Sequence, residues 1–128
     1  MAKPFVTGVG ILYLVLSAWC ALKPQTTARS VGFELTPGSG QSEYLVVYGG
    51  LQFALGCLFL RVWSRREDPL RILEYCLIVH ASLVGFRTLG FMMFQGFQTT
   101  TYALAVTEWL VLIVSAGLYW GGRKQAAP

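Results

Sequence analysis

Four apolar runs divide this chain, and each is long enough to cross a lipid bilayer. They cover about residues 4–22, 43–63, 70–94 and 101–120, with polar stretches between them. A helix needs roughly 20 residues to cross a hydrocarbon core about 30 Å thick, and each run has that length. The pattern therefore predicts an all-α protein, an integral membrane four-helix bundle that forms one domain over residues 1–128.

Composition supports this class and argues against a nucleic-acid-binding protein. Hydrophobic residues make up 55% of the chain and charged residues only 12%, whereas soluble domains have roughly 25% charged residues. The formal net charge of +4 could indicate binding to nucleic acid. The basic residues, however, lie at the ends of the apolar runs and not in a stripe with interleaved aromatic residues. We therefore expect the lipid bilayer as a partner and no nucleic acid.

The distribution of Lys and Arg predicts the orientation of the bundle. Only Lys23 and Arg29 fall in the first and third loops. The N-terminus, the second loop region and the C-terminal tail carry the larger basic set, namely Lys3, Arg61, Arg65, Arg66, Arg71, Arg123 and Lys124. Because cytoplasmic loops of membrane proteins are enriched in Lys and Arg, we expect an up-down bundle with both termini in the cytoplasm.

The cysteines and the single histidine give no sign of a metal site. Cys20, Cys57 and Cys76 each lie within an apolar run and form no CxxC pair. This favours buried, unreactive thiols over a disulfide framework or a zinc site. His80 is the only histidine, so a bis-histidine haem within one chain is excluded. We therefore expect no metal and no cofactor.

Small residues in the first three runs predict close packing of helices, because membrane helices associate through such positions. Gly50 and Ala54 form a small-xxx-small pair in the second run. The complete set is Gly8, Gly10, Ser17, Ala18, Gly49, Gly50, Ala54, Gly56, Ala81 and Gly85.

Arg87 and Glu108 are ionisable residues inside otherwise apolar runs. Arg87 lies seven residues before the end of the third run, and Glu108 lies seven residues into the fourth. In antiparallel neighbours the two side chains would lie at the same depth. An unpaired arginine at the centre of a span costs at least roughly 2.5 kcal/mol, so we predict an ion pair. The alternative is that both face a wet cavity and act separately.

Other polar residues extend this centre into a predicted seam among the second, third and fourth runs. Tyr48 lies one turn above Gln52, Glu43 stands at the outer mouth, and His80 lies two turns deeper than Arg87 on the same helix face. The candidate ligand-binding set is Arg87, Glu108, Gln52, Tyr48, His80 and Glu43. Each of these except Tyr48 has a structural alternative: an interhelical contact that fixes helix register for Arg87, Glu108 and Gln52, a satisfied core histidine for His80, and a helix-start acid for Glu43.

Several segments resemble one family of small bacterial membrane proteins. They are the segment EYLVVYGGLQ at 43–52, then ALG at 54–56, Gly85-Phe-Arg87 followed by Gly90, and Glu108 in the last run. The chain is similar along most of its length to a family of four-helix proteins of unknown function that is distantly DoxX-like. The resemblance implies a location in the bacterial inner membrane, with Arg87, Glu108 and the Gly-Gly segment at the core. It implies no known reaction.

The sequence leaves three functions open. We favour a non-enzymatic membrane protein that binds a small amphipathic or lipid-like ligand in the outer half of the bundle, or acts as an accessory subunit of a larger membrane complex. The residues form no nucleophile–base pair and no phosphate loop, which argues against an enzyme. The alternatives are a small proton-coupled transporter working as a homo-oligomer, and a redox or quinone-associated subunit that uses His80, Arg87 and Glu108.

Overall fold

The computed structural model describes residues 1–126, and across this range the chain is helical with no strand. Four helical spans are long and apolar enough to cross a membrane: Ala2–Leu22, Ser39–Phe59, Pro69–Met93 and Thr99–Lys124. The prediction of an all-α chain with four membrane-length helices is confirmed.

Seven α-helices and one π-helical segment make up the described chain. They are α1 (Ala2–Leu22), α2 (Pro24–Ser30), α3 (Ser39–Tyr44), the π-helical segment (Leu45–Leu51), α4 (Gln52–Phe59), α5 (Arg61–Ser64), α6 (Pro69–Met93) and α7 (Thr99–Ala126). The second span is therefore composite, because α3, the π-helical segment and α4 follow one another without a break.

The first loop, predicted to be a polar connection without a helix, is partly helical. α1 ends at Leu22, where the first apolar run was predicted to end. Pro24 then occupies the first turn of α2, where its missing N–H costs nothing and its fixed φ favours a helix. The predicted loop up to residue 42 therefore contains α2 and the first turn of α3.

The last helix is longer than predicted. The fourth run was predicted to end at about residue 120, but α7 continues through Gly121 and Gly122 and through Arg123 and Lys124. A built Cβ at Gly122 would come within 2.5 Å of the Leu70 side chain at the start of α6. Gly122 therefore allows α7 to approach α6 closely and does not act as a helix stop.

α1 packs closely against α4 through a pair of glycines. A Cβ built on Gly56 would lie 3.0 Å from the carbonyl oxygen of Gly10, and one built on Gly10 would lie 3.2 Å from that of Gly56. Close packing at small residues is thus confirmed, but the predicted pair Gly50 and Ala54 does not provide it. Both are exposed, and a Cβ on Gly50 would meet nothing within 4 Å.

The main core lies where α1, the end of the second span, α6 and α7 meet. Its buried residues include Val6 of α1, Phe59 of α4, Ile72 of α6 and Val111 of α7. The outer surface of the spans is apolar, as shown by the exposed side chains Ile11, Phe53, Phe86 and Ile113. Such a surface is suited to lipid and poorly suited to water.

Candidate functional site

Arg87 and Glu108 form a two-point ion pair between α6 and α7. Nε of Arg87 donates to Oε2 of Glu108 over 2.6 Å, and Nη2 donates to Oε1 over 2.6 Å. The Arg87 side chain is 26% exposed and that of Glu108 is 13% exposed. This fork geometry is the strong form of an arginine–carboxylate contact, and the predicted ion pair is confirmed.

The ion pair leaves part of the guanidinium unused. An arginine carries five N–H donors, and within residues 1–126 Arg87 has side-chain hydrogen bonds only from Nε and Nη2, both to Glu108. Nη1 therefore has donors available to another group. Arg87 also lines an open groove of about 440 Å³ together with Ser82, Leu83 and Phe86.

Tyr48 lies in the π-helical segment of the second span and faces this centre. Its phenol stacks on Tyr44, with ring centroids 4.5 Å apart, and contacts Phe33 edge-on at 5.8 Å. Its hydroxyl interacts electrostatically with the Arg87 guanidinium, without a hydrogen bond between the two groups in residues 1–126. The aromatic contacts fix the ring and with it the position of the hydroxyl.

Gln52 begins α4 directly after the π-helical segment. Its side-chain Oε1 is buried and accepts no hydrogen bond from the residues that the structure describes. A buried acceptor without a donor costs about 1–3 kcal/mol, so such groups are uncommon and often mark a site for another molecule. Gln52 therefore provides an unsatisfied acceptor on the second span.

The π-helical segment changes the register of the second span at this point. Ser17 of α1 donates to the carbonyl oxygen of Gly49 over 2.8 Å, which ties the segment to α1. Short π-helical stretches occur frequently at functional sites because the extra residue per turn re-aims neighbouring side chains. Tyr48 lies within this stretch and Gln52 immediately follows it.

His80 belongs to a separate polar cluster with α1. Its Nδ1 lies 2.8 Å from the carbonyl oxygen of Cys76, and a carbonyl only accepts, so Nδ1 carries the proton. Nε2 is then an acceptor for the hydroxyl of Tyr13, 3.4 Å away. His80 is only 3% exposed. His80 was predicted to lie with Arg87 on the polar seam, but in the structure it is buried and contacts Tyr13 of α1.

Cys76 and Ser115 extend this second cluster to α7. Sγ of Cys76 lies 3.2 Å from Oγ of Ser115, which donates to the carbonyl oxygen of Val111 over 2.6 Å. The chain of hydrogen bonds therefore ends on backbone carbonyls at both His80 and Ser115. Tyr13 and Ser115 were not predicted, although Tyr13 shares a helix face with Gly10 and Ser17 of α1.

Glu43 is not brought into either cluster. It is exposed on α3 and forms no side-chain hydrogen bond or ion pair with residues 1–126. The described chain therefore joins Arg87 to Glu108, with Tyr48 interacting electrostatically with Arg87 and Gln52 one turn after Tyr48 in the second span. It separates His80 and Glu43 from them.

Within residues 1–126, no group of three or more His, Cys, Asp or Glu side chains could hold a metal ion. Comparison with protein families, curated proteins and solved structures finds no match for the chain.

Proposed function

We propose that this chain is a non-enzymatic membrane protein that binds a small amphipathic, lipid-like ligand at Arg87. One observation carries the proposal: Arg87 is held by Glu108 through two donors while Nη1 stays available beside an open groove. A carbonyl or anionic head group would accept from Nη1. The ligand would thereby satisfy donors that are costly to leave unpaired within a membrane.

The neighbouring residues suit the two parts of such a ligand. Tyr48 and Gln52 offer a hydroxyl and an acceptor that would orient a polar head next to Arg87. Leu83 and Phe86 line the groove and offer apolar surface for a tail. Glu108 balances the charge of Arg87, so a neutral carbonyl ligand can bind without adding net charge to the site.

Native mass spectrometry of protein released from nanodiscs of host lipid extract tests this proposal. The variant Arg87→Lys keeps a cation opposite Glu108 but removes the guanidinium donors, so we expect a discrete bound mass to be lost. The matched control is Arg61→Lys, which alters the other arginine–glutamate pair of the described chain, Arg61 with Glu67. The proposal is wrong if the wild-type protein is released without any bound mass, or if both variants lose the bound mass equally.

We also propose an up-down bundle with both termini on the cytoplasmic side of a bacterial inner membrane. Two contacts support antiparallel pairing of α1 with the second span: Tyr44 at the start of the span bonds to Cys20, and Trp63 of α5, which follows the span, bonds to Thr7. The excess of Lys and Arg at one end supports the orientation. The family resemblance supports the bacterial location.

Labelling of single cysteines in intact cells tests the orientation. Ser39 and Ser64 are both exposed and lie at opposite ends of the second span region. In a background with the native cysteines replaced, we expect a membrane-impermeant maleimide to label Ser39→Cys and to spare Ser64→Cys. The reverse labelling pattern would show that the bundle has the opposite orientation.

A further inference from the structure

A second cavity lies where the start of α1, α5 and the start of α6 meet, and the ligand site at Arg87 does not use it. Its volume is about 570 Å³. We call it the basic pocket, and its lining residues are Lys3, Val62, Trp63, Arg66, Glu67 and Pro69. It combines two cations, an indole and apolar surface at one end of the membrane-length helices.

Lys3 and Trp63 of the basic pocket hold each other in place. Nζ of Lys3 lies 3.6 Å from the centre of the Trp63 ring, within the range of a cation–π contact. Nε1 of Trp63 donates to Oγ1 of Thr7 over 2.6 Å, and the same hydroxyl donates to the carbonyl oxygen of Lys3 over 2.8 Å. These bonds fix the wall of the pocket before any ligand binds.

Glu67, the carboxylate that lines the basic pocket, is paired with Arg61, which does not line the pocket. Nε of Arg61 donates to Oε1 of Glu67 over 2.6 Å. Within the part of the chain that the structure describes, the recorded ion pairs are this one and Arg87–Glu108, so Lys3 and Arg66 keep their charges free.

The surroundings of the pocket are also basic. Residues 1–3 and 61–71 hold five Lys or Arg against two Asp or Glu. Arg66 adopts a left-handed backbone conformation with φ of 51°, which is uncommon outside glycine. This tight turn between α5 and α6 carries Arg66, which lines the pocket together with Lys3, so this end of the bundle has a net positive charge.

We propose that the basic pocket binds the phosphodiester headgroup of an anionic glycerophospholipid. Lys3 and Arg66 supply charge and donors to the phosphate oxygens. Trp63 is 59% exposed at the end of a membrane-length span, and tryptophan in that position is typical of the headgroup layer. A basic pocket between helices at this level favours a lipid over a soluble phosphate, since the acyl chains remain in the bilayer.

Native mass spectrometry after release from nanodiscs of phosphatidylcholine with phosphatidylglycerol tests this inference. We expect wild type to retain phosphatidylglycerol in preference to phosphatidylcholine. The double variant Lys3→Gln/Arg66→Gln should lower that retention about thirtyfold, since each surface cation contributes about fivefold to anionic lipid binding. The matched control is Lys23→Gln/Arg29→Gln, which removes the same charge from the first loop and should retain the lipid.

A further variant should increase the retention of phosphatidylglycerol. Glu67→Gln removes a carboxylate from the pocket and releases Arg61, so retention of phosphatidylglycerol should rise. Equal retention of the two lipids by wild type, or equal loss in the control pair, would overturn the inference. Displacement of the lipid by millimolar inorganic phosphate would also overturn it, because the site would then bind soluble phosphate.

Discussion

Arg87 and Glu108 are joined by two parallel hydrogen bonds of 2.6 Å across the contact between α6 and α7. Each residue neutralises the other in a stretch of helix that carries no other Lys, Arg, Asp or Glu. The pair therefore has a structural role as well as the proposed binding role, and variants can separate the two.

Removing one member of the pair should destabilise the bundle. Arg87→Ala leaves the Glu108 carboxylate without its partner, and Glu108→Ala leaves the guanidinium unpaired. For partly buried charges we expect a loss of about 3 kcal/mol in either single variant. Thermal unfolding in detergent measures this loss.

The double variant Arg87→Leu/Glu108→Leu is the control for that experiment. It removes both charges and replaces them with apolar groups that lipid tolerates, so its loss should be smaller than that of either single variant. Identical melting of the three variants would contradict an energetically coupled pair.

The ion pair could be predicted because its signals are local in the sequence. Each of Arg87 and Glu108 interrupts a long apolar run, and helix geometry converts their distances from the run ends into a common depth. Four membrane-length helices follow from run length in the same way. Both predictions depend on lengths and on the high cost of an isolated charge in lipid.

The π-helical segment Leu45–Leu51 and the partner of His80 could not be predicted by such arguments. Hydropathy does not distinguish a π-helical turn from an α-helical one, because both are apolar helix. Helix spacing placed His80 on the face of α6 that carries Arg87, but which neighbour covers that face depends on the arrangement of the spans. In the structure α1 lies there and contributes Tyr13.

Gly56 should tolerate substitution poorly. Gly56→Ala would place a Cβ 2.7 Å from the side chain of Leu14 and 3.0 Å from the Gly10 carbonyl oxygen. The backbone contact cannot yield without moving α1 away from α4, so we expect a loss of about 1–3 kcal/mol in stability. Detergent unfolding against the matched control Gly50→Ala, which meets nothing within 4 Å, measures the difference. Equal stability of the two variants would show that the close approach of α1 and α4 at Gly56 does not contribute to stability.

The tautomer of His80 is a spectroscopic prediction. The short contact from Nδ1 to the Cys76 carbonyl requires a proton on Nδ1, and in a neutral ring Nε2 then accepts from Tyr13. Nitrogen-15 NMR of labelled histidine should therefore show a protonated Nδ1 and an unprotonated Nε2. Tyr13→Phe should shift the Nε2 resonance and cost about 1 kcal/mol. The control is Tyr75→Phe, because the hydroxyl of Tyr75 makes no hydrogen bond within residues 1–126. This variant should change neither the Nε2 resonance nor the stability. A protonated Nε2 in the wild-type protein would contradict the assignment.

The contact between Arg61 and Glu67 predicts a pH dependence outside the membrane spans. The hydrogen bond from Arg61, followed by its charge, holds the pKa of Glu67 below its ordinary value of 4.5. A carboxyl group with a lowered pKa contributes stability above its ordinary value, and this contribution is lost as the pH falls through the pKa in the folded protein. The pair should therefore stabilise the turn between α5 and α6 at neutral pH and release it in acid.

Carbon-13 NMR titration of the Glu67 carboxyl group tests this dependence. Arg61→Gln removes the main cause of the shift, so the pKa of Glu67 should rise toward 4.5. Arg65→Gln is the matched control, because the charge of Arg65 is the smallest contribution to the lowering and its loss should move the pKa less. If Arg61→Gln leaves the titration of Glu67 unchanged, the ion pair does not persist in solution, and Arg61 would then add its free charge to the basic pocket.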